Sequence, residues 1–194
     1  MADPAKRRAT YEDYLALPAH VVGEIINGVL QVSPRPAPRH AYASSRLGGK
    51  LDGFDSGGSG GPGGWWILFE PEIQLTPREP VSPDLAGWRR ERMPALPSTS
   101  YFDLPPDWVC EVLSPSTAAW DRSEKLPLYA AHGVPYAWLI DPILRTLEVF
   151  ALDVARRYTL VTVARDDAKL RAPPFEALEL DLAGLWATPA APVG

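Results

Sequence analysis

Apolar residues of this chain gather in short runs, and one of these runs predicts a strand that is buried on both faces. Residues 108–113 read Trp-Val-Cys-Glu-Val-Leu, so one acid, Glu111, stands in an otherwise apolar segment. Near-continuous hydrophobicity of this length is typical of a central strand covered by other elements. Because side chains alternate along a strand, Val109, Glu111 and Leu113 are expected on one face.

Helix and turn signals dominate the first third of the chain. Thr10 precedes a short helix over 11–17, which Pro18 ends, with an acid three residues after the cap. Apolar segments at 23–26 and 29–32 flank Asn27-Gly28, a pair that tolerates the positive φ angles of a two-residue hairpin turn. Residues 40–54 are predicted to form a second helix.

The rest of the chain predicts mainly strands around one more helix. That helix is expected to start near Ser123, with an initial turn over 118–121 as an alternative; Pro127 then lies in its first turn and Gly133 is its C-terminal cap, which places Lys125 near a helix N-terminus. The predicted strands cover 65–70 and 72–75 (one strand interrupted by Pro71, or two), 81–88, 136–140, 146–151 and 157–163, with short additions near 170 and 178–180 and a short helix at 182–186. This order favours an α/β fold with a mixed central sheet flanked by helices.

Length and composition indicate one domain over 1–194, with its core at about 10–163. The tail 187–194 and the glycine-rich stretch 56–64 are expected to be flexible. No apolar run approaches the roughly 18 residues of a membrane span, so no membrane association is predicted. A single cysteine, Cys110, excludes an intramolecular disulfide and favours the reducing cytoplasm, with the thiol buried in the core.

The formal net charge of −5 argues against a broadly basic nucleic-acid binder. It leaves room for a locally basic groove, although solvated surface charge is the simpler interpretation of each basic patch. Most of the seven tryptophans are expected in the core, while Trp88 or Trp120 could stack on a nucleobase. The basic patches are Lys6, Arg7 and Arg8; Arg35, Arg39, Arg46 and Lys50; and Arg89, Arg90 and Arg92.

Two carboxylates and one amine carry the candidate chemistry: Asp84 after Ser82-Pro83, Glu111 in the apolar strand, and Lys125 downstream. Hard divalent cations prefer carboxylate oxygens, and a phosphodiester under attack needs nearby positive charge. An ionised Glu111 among apolar residues is costly unless it meets a cation. Glu24, in the first hairpin strand, could add a third carboxylate.

Each of these residues also has a simpler interpretation. Glu111 could be a structural acid that pairs with an arginine or lysine. Glu24 taken alone fits an exposed hairpin position better, and Lys125 could form a helical ion pair with Asp121, four residues earlier. Only their combination distinguishes these residues from ordinary structural or surface residues.

An ordered set of segments over about residues 10–150 resembles the Uma-two family within the PD-(D/E)XK nuclease superfamily. The segments that carry the resemblance are 11–15 (Tyr-Glu-Asp-Tyr-Leu), 23–28 (Gly-Glu-Ile-Ile-Asn-Gly), 33–40, 82–85 (Ser-Pro-Asp-Leu), 111–117 (Glu-Val-Leu-Ser-Pro-Ser-Thr), 121–125 (Asp-Arg-Ser-Glu-Lys), Tyr129, 133–136 and 138–142 (Trp-Leu-Ile-Asp-Pro).

The resemblance implies a restriction-endonuclease-like fold and a divalent metal, Mg²⁺ or Mn²⁺, at one edge of the sheet. It implies that Asp84 is the motif aspartate, that Glu111 is the second acid and that Glu24 completes the metal site, with the Val112 carbonyl as a further ligand. His40 matches a frequent family position without an assigned role. DNA is the implied substrate, and a homodimer is an expectation from the resemblance.

One departure from the superfamily pattern leaves a second function open. The superfamily pattern has a lysine two residues after the second acid, where this chain has Leu113. The family supplies the amine from the following helix, which points to Lys125. The first hypothesis is a metal-dependent endonuclease acting on DNA. The alternative is a catalytically inactive nuclease scaffold that binds nucleic acid or a protein partner, and a structural oligomer domain is a third, less specific hypothesis.

Overall fold

A computed structural model describes residues 7–55 and 61–187. The tail 188–194 and positions 56–60 of the glycine-rich stretch, both predicted to be flexible, lie outside the described residues. In chain order, the elements are α1 (Tyr11–Leu15), β1 (Val21–Ile26), β2 (Val29–Pro34), α2 (Pro38–Asp55), β3 (Trp65–Phe69), β4 (Ile73–Thr76), β5 (Glu79–Val81), β6 (Leu85–Arg89), β7 (Trp108–Val112), α3 (Ala118–Trp120), a π-helical turn (Asp121–Lys125), α4 (Leu126–Ala131), β8 (Tyr136–Asp141), β9 (Thr146–Leu152), β10 (Tyr158–Arg165), β11 (Lys169–Leu170), β12 (Leu180–Asp181) and a 3₁₀ turn (Leu182–Leu185).

The central sheet has six strands in the order β10-β9-β8-β7-β6-β3. Strands β7 and β8 pair in parallel, and every other neighbouring pair in this sheet is antiparallel. All five residues of β7 are buried, as its apolar sequence predicts. The mixed sheet of the predicted α/β fold is therefore present, with β7 inside it.

Each face of the sheet has its own apolar cluster. On one face α2 packs through Leu47 and Leu51 against Trp65, Trp108 and their neighbours, together with the C-terminal segment. On the other face lie α4 and the hairpins β1–β2 and β4–β5, around a second cluster. Because β7 lies between these two layers, any polar side chain on it is enclosed.

Local sequence signals explain the N-terminal elements. Thr10 and Asp13 form a reciprocal capping box at α1, with each side chain bonded to the other residue's backbone N–H. Asn27 and Gly28 take φ angles of 53° and 76°, which set the tight turn of the β1–β2 hairpin. Both predictions are confirmed.

Two predicted elements are divided in the structure. The segments 65–70 and 72–75 form separate strands in different sheets, and the strand predicted over 81–88 is wrong because Val81 ends β5 and Leu85 begins β6. Strand β5 pairs with β4, whereas β6 pairs with β3 and β7. The connection through Pro83, which has no N–H for a ladder bond, lets the chain change sheets and leaves Asp84 between the two strands.

The helix predicted from Ser123 begins earlier, at Ala118, and runs to Ala131; residues 118–131 are called the site helix below. The π-helical turn joins α3 to α4, and the Leu126 N–H bonds to the Asp121 carbonyl. Lys125 directly precedes α4 and Pro127 lies in the first turn of α4, as predicted, although the helical segment as a whole begins earlier, at Ala118.

Candidate active site

A cavity of about 600 Å³ opens between the β1–β2 hairpin, the first residues of α2 and the site helix. Its ionisable lining includes Glu24, His40, Asp84, Glu111, Asp121 and Lys125, from five separate parts of the chain, together with Arg35 and Glu70. The end of β7 supplies Glu111, the β5–β6 connection supplies Asp84, and the π-helical turn supplies both Asp121 and Lys125.

Lys125 lies at the centre of this group and is 3% exposed. Its Nζ lies 2.8 Å from Glu111 Oε2, 2.9 Å from Glu24 Oε1 and 3.2 Å from the Ser82 carbonyl oxygen. Asp121 Oδ1 is farther away, at 3.9 Å. Two of these contacts, to Glu111 Oε2 and to the Ser82 carbonyl, are hydrogen bonds, whereas the contact with Glu24 is an ion pair.

Glu111 is 2% exposed, and both of its carboxylate oxygens accept hydrogen bonds from the site helix. Lys125 donates to Oε2, and the Tyr129 hydroxyl donates to Oε1 at 2.6 Å. Each carboxylate oxygen has a second lone pair, so these bonds leave acceptor sites on both oxygens. The site helix therefore fixes the direction of the Glu111 carboxylate.

Asp84 is the most exposed of the candidate ligands, with 16% of its side chain accessible. Its Oδ2 accepts a bond of 2.6 Å from the Val112 backbone N–H, and its Oδ1 lies 3.2 Å from His40 Nε2. The first bond ties the β5–β6 connection to the strand that carries Glu111. Val112 thus holds Asp84 beside Glu111, its neighbour in β7.

Burial and crowding of like charges shift the pKa values in this cavity. The pKa of Glu111 lies well above its ordinary value, first because it is buried and then because Asp121, Asp84 and Glu24 are close, against the opposing effect of Lys125. Burial also raises the pKa of Asp121 to about 6. Burial works to lower the pKa of Lys125, but Glu111 and Glu24 outweigh it and raise that pKa. The local excess of carboxylates is only partly neutralised by one ammonium.

The structure brings Asp84, Glu111, Lys125 and Glu24 into one cavity, as the sequence hypothesis requires. Glu24 is 8% exposed, so the exposed hairpin position favoured for it alone is wrong. The helical ion pair between Lys125 and Asp121 exists, but it is the longest of the lysine's ionic contacts.

The proposed stacking role of Trp88 is wrong, because this side chain is fully buried and its ring stacks on Phe102. Trp120 is half-buried, so its predicted role stays a prediction. Cys110 is fully buried, as expected of a core thiol, and burial raises its pKa.

Tyr129 and His40 received no role from the sequence, and Asp121 was expected only as an ion-pair partner of Lys125. Asp121 lines the cavity from the π-helical turn, and Tyr129, in the helix after it, donates to Glu111; no apolar pattern signals either position. His40 contacts Asp84, although α2 and the β5–β6 connection are far apart in the chain. The predicted Asp121–Lys125 spacing was the only signal that could have placed Asp121 beside the amine.

Within 7–55 and 61–187, no three His, Cys, Asp or Glu side chains are arranged as a ready-made metal cage. The donor set nevertheless fits a hard cation, because carboxylate oxygens are the ligands that Mg²⁺ accepts. Mg²⁺ usually keeps several waters and binds through one or two carboxylates, without an all-protein cage. Asp84 and Glu111 satisfy that requirement.

No helix within the described ranges combines the length and apolar character needed to cross a membrane.

A family sequence model described as "Putative restriction endonuclease" matches residues 11–183, which confirms the resemblance found in the sequence. A crystal structure described as a putative nuclease belonging to DUF820, from Anabaena variabilis, superposes with a TM-score of 0.72 and 22% identity. The match covers 91% of this chain and 97% of that one, and it confirms the predicted fold. No protein of the curated set matches the chain.

Proposed function

The chain belongs to the Uma2 family, described as putative restriction endonucleases, and we propose that it is a metal-dependent endonuclease that hydrolyses phosphodiester bonds of DNA. The observation that carries this proposal is the convergence of Asp84, Glu111 and Glu24 beside Lys125 in one cavity. These four residues lie far apart in the sequence. Only the fold unites them.

The charge of the cavity supports the need for a cation. Four carboxylates, from Glu24, Asp84, Glu111 and Asp121, lie around one buried ammonium, and the exposed pair Arg35–Glu70 also lines the cavity without changing this balance. A phosphodiester would be repelled by this excess of negative charge unless a cation first neutralised it. When bound, Mg²⁺ or Mn²⁺ would acidify a water molecule and neutralise charge on the scissile phosphate.

In this proposal Asp84 and Glu111 are the main metal ligands, and Glu24 and the Val112 carbonyl complete the set. Asp84 is reachable from the cavity, and two bonds, from Val112 and His40, hold its carboxylate in place. His40 is thus a positioning residue that acts through Asp84. Such supporting partners typically contribute about 10–100-fold to metal affinity or activity.

Lys125 acts on the acids in the arrangement seen here. It donates hydrogen bonds to Glu111 and to the Ser82 carbonyl and forms an ion pair with Glu24. It therefore orients two proposed metal ligands and limits their mutual repulsion. The role that the sequence hypothesis gives it, to position water or stabilise negative charge on the phosphate, needs the third hydrogen of the ammonium or an exchange of one of these acceptors.

Cleavage of supercoiled plasmid DNA with Mg²⁺ or Mn²⁺ tests the proposal. We expect the wild type to nick or linearise the plasmid, EDTA to abolish cleavage, and Asp84→Asn to lose more than the about 10–100-fold that removal of a ligand's supporting partner costs. Asp107→Asn is the matched control. Asp107 is also a buried acid, but it lies just before the first residue of β7, whereas Glu111 is near the last, and it accepts a hydrogen bond from Arg92. Cleavage that survives Asp84→Asn refutes this assignment of the site.

A specific observation favours the alternative of an inactive scaffold. Leu113 is buried where the superfamily lysine is expected, and the chain's own acceptors occupy the Lys125 ammonium. If calorimetry detects no Mn²⁺ binding and the wild type cuts no DNA, the scaffold hypothesis replaces the nuclease. The homodimer and the cytoplasmic location stay predictions; sedimentation and cell fractionation test them.

A further inference from the structure

Phe69 is an aromatic side chain that the site described so far does not use. It ends β3, and it follows Trp65 and Ile67 on the face that α2 covers. Those two side chains are buried, whereas Phe69 remains 52% exposed. Because about half of its side chain contacts water, Phe69 gains less hydrophobic stabilisation than the buried Trp65 and Ile67.

A glycine of α2 holds this ring in place. A Cβ atom on residue 48 would collide with Phe69 Cζ, so the ring lies directly against helix backbone. The next residue, Gly49, has open space around the same position. Gly48 therefore supports one side of the ring while the rest of the ring stays accessible.

The exposed ring lines a cavity of about 330 Å³ beside the candidate active site. Ser44 and Ser45 of α2 add polar residues to its wall, as does Glu70, whose carboxylate lies 3.8 Å from Arg35. His40 and Glu70 line this cavity and the larger one, so the two spaces adjoin.

Backbone pairing places Phe69 next to the proposed metal ligand. Phe69 pairs with Leu85, the residue after Asp84, and the Glu70 N–H donates to the Asp84 carbonyl at 3.1 Å. A nucleotide is several ångströms long, so a phosphate at Asp84 would have its base within reach of the ring. The adjoining cavity is close to the lower end of the 300–1,000 Å³ range of small-ligand sites.

We propose that this adjoining cavity binds the base of a nucleotide that flanks the cleaved bond, stacked on Phe69, with Ser44, Ser45 and Glu70 available to its polar edge. The inference rests on the proposed nuclease function and specifies its substrate. A base in this cavity has left its own stack, which costs least in single-stranded or frayed DNA. The enzyme therefore cuts single-stranded or locally unpaired DNA in preference to a continuous duplex.

Four variants test the base site. Phe69→Ala removes the ring, Phe69→Leu keeps an apolar side chain without the aromatic face, and Gly48→Ala displaces the ring from its support. Gly49→Ala is the matched control, since it adds the same methyl group one residue away where nothing is struck. Circular dichroism and calorimetry with Mn²⁺ alone establish that each variant is folded and that its metal site is intact.

Cleavage kinetics are then compared on a single-stranded oligonucleotide and on its duplex, with Mn²⁺. We expect Phe69→Ala and Gly48→Ala to raise KM for the single strand about 10-fold, the size of one lost base–aromatic stack. Phe69→Leu is expected to lie between them and the wild type, and Gly49→Ala to match the wild type. The kcat for the single strand should change little, because Phe69 does not touch the reacting atoms.

The outcomes separate the two proposals. If the wild type cuts DNA but Phe69→Ala and Gly48→Ala have unchanged KM, the base site is refuted and the nuclease stands. If the wild type neither binds nor cuts DNA, the nuclease proposal fails and the base site fails with it. If sedimentation shows that Phe69→Ala dissociates a dimer while KM is unchanged, the ring belongs to an interface with a second copy, and the base site is overturned.

Discussion

Replacing Lys125 by methionine removes the only ammonium from the acid-lined cavity while keeping a side chain of similar length. Three carboxylates lie within 4 Å of its Nζ, from Glu111, Glu24 and Asp121. After the substitution they face one another without a cation, and Lys125 and its two nearest partners are almost fully buried. We expect a large loss of stability in EDTA.

The distances set the size of that loss. At an effective dielectric constant near 20, opposite charges 2.8 Å apart attract by about 6 kcal/mol. Most of this attraction offsets the cost of removing both charges from water, so removing one partner of a buried pair costs about 3–5 kcal/mol. A domain of this size has a free energy of unfolding of about 5–15 kcal/mol, so the variant is expected to fold with much lower stability.

Urea unfolding at pH 8 with EDTA, followed by tryptophan fluorescence and circular dichroism, measures the loss. Glu111→Gln and the double variant complete a double-mutant cycle, for which we expect a coupling energy of about 2 kcal/mol, within the range of buried contacting pairs. Acidification should reduce the deficit of Lys125→Met. Without the lysine the pKa of Glu111 rises further, so protons can take over part of the charge compensation.

Lys169→Met is the matched control, because Lys169 pairs with Asp181 at 3.8 Å on an exposed surface. Exposed pairs contribute about 0–1 kcal/mol, so this variant should unfold almost as the wild type does. A loss below about 1 kcal/mol for Lys125→Met, with no coupling to Glu111, would refute the argument that the lysine holds the acids together.

Two further predictions concern the same site helix. Asp121→Asn tests a carboxyl group whose native pKa is about 6, raised mainly by burial. Because the folded state holds this proton more tightly than the unfolded state, the proton's stabilising effect is complete below about pH 4 and is lost as the pH rises through 6. Urea unfolding in EDTA between pH 4 and 7 should therefore show that the wild type loses up to about 3 kcal/mol of unfolding free energy relative to the variant. A difference between the two proteins that is the same at every pH contradicts the burial argument. Tyr129→Phe deletes the hydroxyl that donates to Glu111 at 2.6 Å. Urea unfolding should show a loss of about 1.5–3 kcal/mol in the free energy of unfolding, typical of a hydrogen bond to a charged group. An unchanged urea midpoint would show that Glu111 does not depend on this donor.

Local signals in the sequence were sufficient for several elements. The Asn27-Gly28 pair predicts its hairpin because only a few residues accept two successive positive φ angles. Thr10 and Asp13 predict the start of α1 through hydrogen bonds that span three residues. The unbroken apolar run of β7 predicts burial on both faces. In each case the cause lies within a few neighbouring positions.

Predictions failed where distant parts of the chain decide the outcome. The prediction of one strand over 81–88 is wrong because the two ends of this segment pair with strands of two different sheets. Trp88 has the chemistry of a stacking residue, but packing against Phe102 buries it. Pro127 lies in the first turn of α4 as predicted, but no local signal predicts the π-helical turn that joins α4 to α3.

The sequence by itself determined which residue types could form the site: an acid in a buried strand, a second acid after a proline, and a lysine in the next helix. Only the tertiary structure decided that the lysine donates hydrogen bonds to Glu111 and the Ser82 carbonyl and forms an ion pair with Glu24. The reason is physical. Residue type and spacing set a group's charge and local direction, whereas its partners and its degree of desolvation depend on which remote elements pack over it.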